Sequence, residues 1–439
     1  MSLATAPTSA PDLNAPRGRA GRARLGRAGW GGILALVLVG LACFATLPWT
    51  AVARVERGYA VLGADGPMTA MFERQNRSAL RLPPWWWPTG DARFVAGYEA
   101  AAVDAVMRRR ADAAGVAFDP RLPEVAKAAA ESVAASRPRY WLGTDHLGRS
   151  VLARVLVGGA ISLAIGVAAA GLSVTIGVLY GAIAGYLGGR VDGAMMRVVD
   201  VLYGLPYVLL VVLLAVAVNG ALDRWQAGRM VAIRQQSDAF ITAMVRQAEE
   251  VALREGKRGD VLTSAVEQAR QDAREQARVR LGTGELNPAT AQTINLVTLL
   301  VAIGGVSWLT MARVVRGQVL SLKAQPFMEA ARAIGVPVPR QFARHLLPNL
   351  VGVIVVYATL TVPQAILQES FLSFLGIGVK PPLPSWGNLA ADGLSELNTV
   401  RSHWWMLLFP CVLLAGTLLA LNFVGEALRE KLDPKRIGR

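Results

Sequence analysis

The chain has 439 residues, 53% of them apolar, with a mean hydropathy of +0.37 and a formal net charge of +15. That apolar share is too high for an ordinary soluble protein of this length, and several nearly uncharged runs reach the roughly 20 residues needed to cross a bilayer. The positive charge does not indicate nucleic-acid binding, because the arginines gather beside the apolar runs as the positive-inside bias predicts and no base-reading motif accompanies them.

In chain order, residues 1–29 read as a basic tail rich in Ala, Pro, Gly and Arg, and residues 30–53 as the first span. The basic front and the TAVA stretch also fit a cleaved signal peptide, but the length of the run and the spans that follow favour an uncleaved helix. Residues 54–140 form a polar insert with a helix-like patch near 100–135. Its cluster PPWWWPTG, starting at Pro83, suits either a partner contact or an anchor at headgroup level. Residues 141–218 carry spans two and three. Gly177, Gly181 and Gly185 recur every fourth residue, which lets a neighbouring backbone come close, and Pro206 is expected to kink the third span.

Residues 219–290 are long and heavily charged, with helix-favouring residues and acid–base pairs four apart, the pattern of a solvated helical hairpin or a docking surface. Residues 291–426 hold spans four to six, and 427–439 a basic tail. This reading gives an all-α integral membrane protein with six spans, both tails on one side and both inserts on the other. Cys43 and Cys411 fall inside spans and His146, His345 and His403 lie far apart in sequence, which argues against a disulfide framework or a metal site.

Residues 321–349, within spans four to six, break the pattern with EAARAIGVPVPRQFARHLLPN, from Glu329 to Asn349. Ala330, Ala331 and Ala333 favour helix, Gly335 suits a left-handed stop, Pro339 suits a first helical turn, and Pro348 is expected to end the second short helix. Phe327, Ala331 and Ile334 share one helical face, and Phe342 and Leu346 another. Such a pair of helices fits another protein's groove or lies as an interfacial hairpin, and the residues alone leave both open.

The spacing Glu329-Ala330-Ala331, Gly335, then Leu347-Pro348 resembles the EAA loop of ABC-importer membrane subunits. Five further stretches, in order, resemble the second permease subunit of the dipeptide/oligopeptide/nickel importers, the OppC/DppC-like subfamily. They are WLGTDHLGRSVLARVLVGGAISL, GAIAGYLGGRVDGAMMRVVD, ESFLSFLGIG, PPLPSWGN and ALREKLDP. With the first span they cover about three-fifths of the chain. Ser150 stands where that family often has Asp, and both inserts are longer than is usual there.

The resemblance implies a type I importer permease in the bacterial cytoplasmic membrane, termini inside, that forms half a pathway. Its implied partners are a second permease subunit, two ATP-binding subunits that hold the ATP, an extracytoplasmic substrate-binding protein and membrane lipid. It implies coupling through Glu329, Ala330, Ala331, Gly335, Phe342, Leu347 and Pro348, with Arg332, Arg340 and Arg344 set against partner acids or headgroups. Consistently, the chain has no GxxxxGK[ST], GxSxG or HExxH, so no ATPase, hydrolase or metal centre of its own is expected, and no cofactor. Gln364, Glu369 and Asn295 are polar positions within spans, suited to lining the pathway or to bonding helix to helix. A membrane scaffold with charged outer domains is the competing reading.

Overall fold

The computed structural model describes residues 27–54, 69–75, 80–87, 140–282, 287–397 and 402–432. The helix-like patch at 100–135 lies outside them. The elements are α1 (Arg27–Ala45), α2 (Leu47–Thr50), a two-stranded antiparallel pair β1 (Ala53–Arg54) and β2 (Thr69–Ala70), α3 (Val151–Leu187), α4 (Gly189–Tyr203), α5 (Tyr207–Arg254), α6 (Asp260–Leu281), α7 (Pro288–Lys323), α8 (Pro326–Ala333), α9 (Val338–Gln341), a π-helical turn (Phe342–Leu346), α10 (Leu347–Phe374), α11 (Trp386–Ser395) and α12 (Trp405–Leu432). Among the described residues, six helical stretches are long and apolar enough to cross a membrane.

The centre is the α3–α7 pair. In hydrocarbon two apolar helices gain little from hiding from each other, so they associate by close packing, which small residues permit. Gly177, Gly181 and Gly185 supply it. A Cβ at Gly177 would meet Met311 Cβ at 2.6 Å, one at Gly185 would meet the Arg316 carbonyl at 2.9 Å, and one at Gly181 would overlap the Ala312 carbonyl. Gly304 of α7 returns the contact beneath Leu172 and Ala169. Around this seam pack Ile165, Leu299, Ile303, Val306 and Leu309, with Val211 of α5 and Leu372 of α10.

One end of the pair is closed by charges. Arg316 of α7 donates two hydrogen bonds to Asp192 of α4, from Nε at 2.5 Å and from Nη2 at 2.6 Å, and Arg313 reaches Asp200 at 2.8 Å while lying over the Tyr203 ring. Hydrogen bonding from Arg316 holds the Asp192 carboxyl below the usual carboxylate range. At the other end Asp145, buried, accepts from the Leu147 and Arg149 amides and from the Arg149 and Arg154 guanidinium groups, the latter two at 2.7 Å. Arg154 also reaches Asp392 of α11. Burial alone would raise the Asp145 carboxyl, but Arg154 and Arg149 more than offset it and hold it low. Ser150 accepts from the Ala153 amide as the N-cap of α3, a duty that aspartate performs equally well.

The tryptophan cluster sits at this second end. Trp85 packs edge-on to Trp141, Trp86 donates to the Trp141 carbonyl at 2.8 Å, and Trp87 meets Trp404 at 4.8 Å, beside the starts of α3 and α12. Trp386, 0% exposed, donates its indole N–H to the Val155 carbonyl and ties α11 onto α3.

Three expectations need correction. Pro206 does not kink the third span: Val198 to Tyr203 finish α4, and Pro206 is the N-cap of α5, which carries the span. Proline lacks the donor a helix interior needs and pushes the preceding residue out of the α region, so it separates two helices here. The charged insert likewise does not start after a span end, because α5 runs unbroken from Tyr207 to Arg254 and α6 folds back along it. Forty-eight residues make ~70 Å of helix, about 40 Å more than the hydrocarbon, so the hairpin stands well clear of the bilayer. Pro348, thirdly, starts α10 rather than ending the helix before it, as described below.

Two outcomes follow from the central seam. Gly181→Ala is expected to lower the thermal midpoint, because the obstacle is backbone and overpacking of about 1–3 kcal/mol exceeds the gain in helix propensity of about 1 kcal/mol. Gly171→Ala in the same helix, where a Cβ meets nothing within 4 Å, should not lower it. Thermal unfolding in nanodiscs would separate the two. Since the folded Asp192 pKa is depressed, the stability from its pair with Arg316 is present above the ordinary carboxylate pKa of about 4 and is lost as pH falls through the folded value. The thermal midpoint of the wild type should therefore drop more steeply below about pH 4 than that of Asp192→Asn.

Candidate functional site

The 326–346 segment projects from the end of the molecule that holds α4. Gln325 and Pro326 start α8, and its end is a full Schellman motif: Gly335, at φ +76°, donates to the Arg332 carbonyl, and Val336 donates to the Ala331 carbonyl at 3.0 Å. Glycine serves there because that backbone angle penalises any Cβ. Pro337 and Pro339 then start α9.

Pro348 has no N–H for the Arg344 carbonyl, and its ring would crowd that carbonyl in an ordinary turn. The chain widens instead into the π turn Phe342–Leu346, closed by the Leu347 amide on the Phe342 carbonyl, and continues directly into α10. The second short helix and the fifth span are thus one bent rod.

One face of this hairpin is fastened. Met328, Leu346 and Leu350 are buried against Val178, Ala182, Met311, Val315 and Val319, with Phe342 partly buried beside them. Ala331 is buried, whereas Phe327 and Ile334 are exposed, so the expected three-residue ridge is split: the inward face is centred on Met328 and Ala331. Gln341, only 4% exposed, accepts from the Tyr186 hydroxyl at 3.0 Å and donates to the Val336 carbonyl at 2.6 Å.

The other face is free. Ile334 is 78% exposed and Phe327, Val338 and Leu347 are also exposed. Glu329, Ala330, Arg332, Arg340, Arg344 and Pro348 lie on the surface among them. Glu329, in the first turn of α8, carries its charge where the helix dipole favours an anion. An apolar ridge with charges at its margin is the shape a partner's groove takes up.

The polar span positions separate into two groups. Glu369 is 0% exposed and accepts from Ser373 at 2.7 Å and Ser370 at 3.3 Å. Asn295 accepts from the Lys380 amide at 3.4 Å, and Ser373 accepts from the Val379 amide at 3.0 Å. Asn295, and Glu369 through Ser373, therefore reach the same 379–380 backbone, to which Asn388 of α11 also donates, so that hydrogen bonds join α7, α10 and α11 there. Gln364 stands apart, exposed on α10. Sequence reasoning missed Tyr186, Gln341, Asp192 and Arg316. Their only sequence signal is opposite charge near the same span ends, for Asp192 and Arg316, and nothing marks Gln341 beside three arginines.

Residues 177–438, which include the whole hairpin and the α4 clasp, match the binding-protein-dependent transport system inner membrane component family. The oligopeptide transport system permease protein OppC of Escherichia coli K12 is 39% identical over 296 residues, 67% of this chain and 72% of that protein. The dipeptide transport system permease protein DppC of Bacillus subtilis 168 is 37% identical over 296 residues, 67% of this chain and 69% of that protein. OppC of the same organism is 36% identical over 296 residues, 67% of this chain and 72% of that protein. With six candidate spans among the described residues, the chain is a predominantly α-helical membrane protein of the type I permease kind, and it belongs to the family of binding-protein-dependent transport system inner membrane components.

Proposed function

We propose that this chain is a permease subunit of an ATP-driven importer for peptides or a similar small solute. It contributes half of the pathway and receives the ATP-binding subunits on the 326–346 hairpin. The observation that carries this reading is the hairpin itself, fastened by Met328, Leu346 and Gln341 on one face and presenting Phe327, Ile334 and Val338 on the other. It occurs in a chain whose relatives are peptide permeases by name.

In this reading the hairpin, α4 and both tails face the cytoplasm, while the tryptophan cluster, α11 and the α5–α6 hairpin face outward. The arginine-rich tail, Arg190, Arg197, Arg332, Arg340 and Arg344 then all lie on the inner side, in keeping with the charge bias of membrane proteins. The chain needs no cofactor and hydrolyses nothing. ATP is held by two partner subunits, whose closure rocks this chain against a second permease subunit. A substrate-binding protein delivers the solute from outside, so nucleotide and loaded binding protein must favour the same global state for the cycle to run. Glu329, Gly335, Phe342, Leu347 and Pro348 shape or present the dock, with Ala331 packed inward and Ala330 on the exposed face of the same helix. Gln364, by its exposure, is the better placed of the polar span residues for the pathway; Glu369 and Asn295 hold helices together.

Gentle-detergent purification of the full chain from its native membrane is expected to bring down two ATP-binding subunits and a second six-span protein. Glu329→Lys should reduce the recovered ATP-binding subunits severalfold. A correctly inserted wild type that recovers no ATPase would defeat the reading. Deleting Asp223–Glu285 should leave that recovery unchanged, because the α5–α6 hairpin lies across the membrane from the dock. Loss of the ATPase from a correctly inserted deletion would reverse the assigned topology.

A further inference from the structure

Two kinds of contact join the 326–346 hairpin to the spans. The first is apolar, through Met328, Leu346 and Leu350, and packing of this kind is non-directional. The second is polar and passes through Tyr186, the penultimate residue of α3. Its hydroxyl donates to Gln341, which in turn donates to the carbonyl of Val336, the residue that closes the Schellman motif of α8. Its backbone carbonyl accepts from the Lys323 ammonium, which ends α7 and lies over the Tyr186 ring at 5.4 Å. The Lys323 carbonyl accepts from Arg332 of α8 at 3.4 Å. Tyr186, at the end of α3, thus contacts the end of α7 and the second arm of the hairpin directly, and the first arm through Gln341 and Lys323.

Direction matters here. Hydrogen bonds weaken steeply with misalignment, so they set register where apolar contacts allow sliding. Gln341 is buried with both ends of its amide committed, so the joint has one satisfied arrangement and its loss leaves a buried polar group without a partner. Above the joint, α3 and α7 are already locked by the glycine seam, and α4, which follows α3, is tied to α7 by the Asp192–Arg316 pair.

We propose that Tyr186, acting through Gln341 and Lys323, is the positioning residue that makes the hairpin move as one body with the α3–α7 pair. A displacement imposed on the hairpin then reaches the spans without slack. The inference rests on the reading of the hairpin as the dock for ATP-binding subunits. Without the joint the hairpin stays docked by Phe327, Ile334 and Val338, but its register against α3 and α7 is held by packing alone.

The test uses the assembled importer in nanodiscs, with hydrogen–deuterium exchange read by mass spectrometry in the absence of nucleotide and with ATP trapped by vanadate. In the wild type, residues 326–346 and the adjoining helix ends 178–187 and 311–323 should change protection together. Tyr186→Phe keeps the ring and its packing and removes only the donor. It should retain the ATP-binding subunits and the hairpin response while the response at the two helix ends falls at least twofold. Gln341→Met breaks the same contact from the other side and should do the same, so a failure of either variant to assemble leaves the other to decide. A helix-end response of wild-type size in an assembled variant would overturn the inference. A wild-type hairpin with no nucleotide response would overturn the docking reading and the inference with it, and that result is recognised before any substitution is made.

Discussion

The close approach of α3 and α7 is the constraint on which the rest depends. In a bilayer the contact must come from shape, and three glycines at four-residue spacing remove the side chains that would hold the backbones apart. Once the two axes are that near, the charges at the ends fall within reach. The Arg316 carbonyl lies against α3 at Gly185, and from there its guanidinium reaches Asp192 of α4. The buried aliphatic residues of α5 and α10 then pack against a rod of two helices rather than against a single one.

The two ends of that rod are finished by different chemistry. At the hairpin end the elements are short and proline-started, the first of them ended at Gly335, and they are held by one apolar cluster and a few hydrogen bonds centred on Gln341. Such a unit has a defined position with little mass behind it, in keeping with the proposed docking role. At the tryptophan end Asp145 gathers two guanidinium groups and two amides, and Trp386 and Ser385 cap α11 against α3. Buried charge is tolerable there because nearly every lone pair is answered. Glu369 follows the same rule with hydroxyls in place of cations, which explains how a carboxyl can sit wholly enclosed within a span.

The α5–α6 hairpin obeys neither pattern. Its seam is built from small residues, Ala252 with Ala273 and Ala277, and its remaining faces mix both signs of charge. A solvated pair of helices with alanine between them is stiff enough to project but adds nothing to the membrane core. Nothing in the central packing requires it, in keeping with an insertion into the loop after the third span.

By itself the sequence determined the class of the molecule: six apolar stretches, the side on which arginines gather, the glycine face of α3, the helical character of the charged insert and the turn at Gly335. Each follows from composition or from local backbone preference, which act over a few residues. Only the tertiary structure decided which face of α8 turns inward, because Phe327, Met328 and Ile334 are equally apolar and the choice belongs to the pocket between α3 and α7. It also decided that Pro348 lies within a continuous rod, since a π turn absorbs the missing donor, and that Glu369 and Asn295 converge on one backbone segment. Tyr186 and Gln341 are separated by 155 residues, and no periodicity joins them; their contact exists because the glycine seam and the Schellman turn bring two chain ends to the same point.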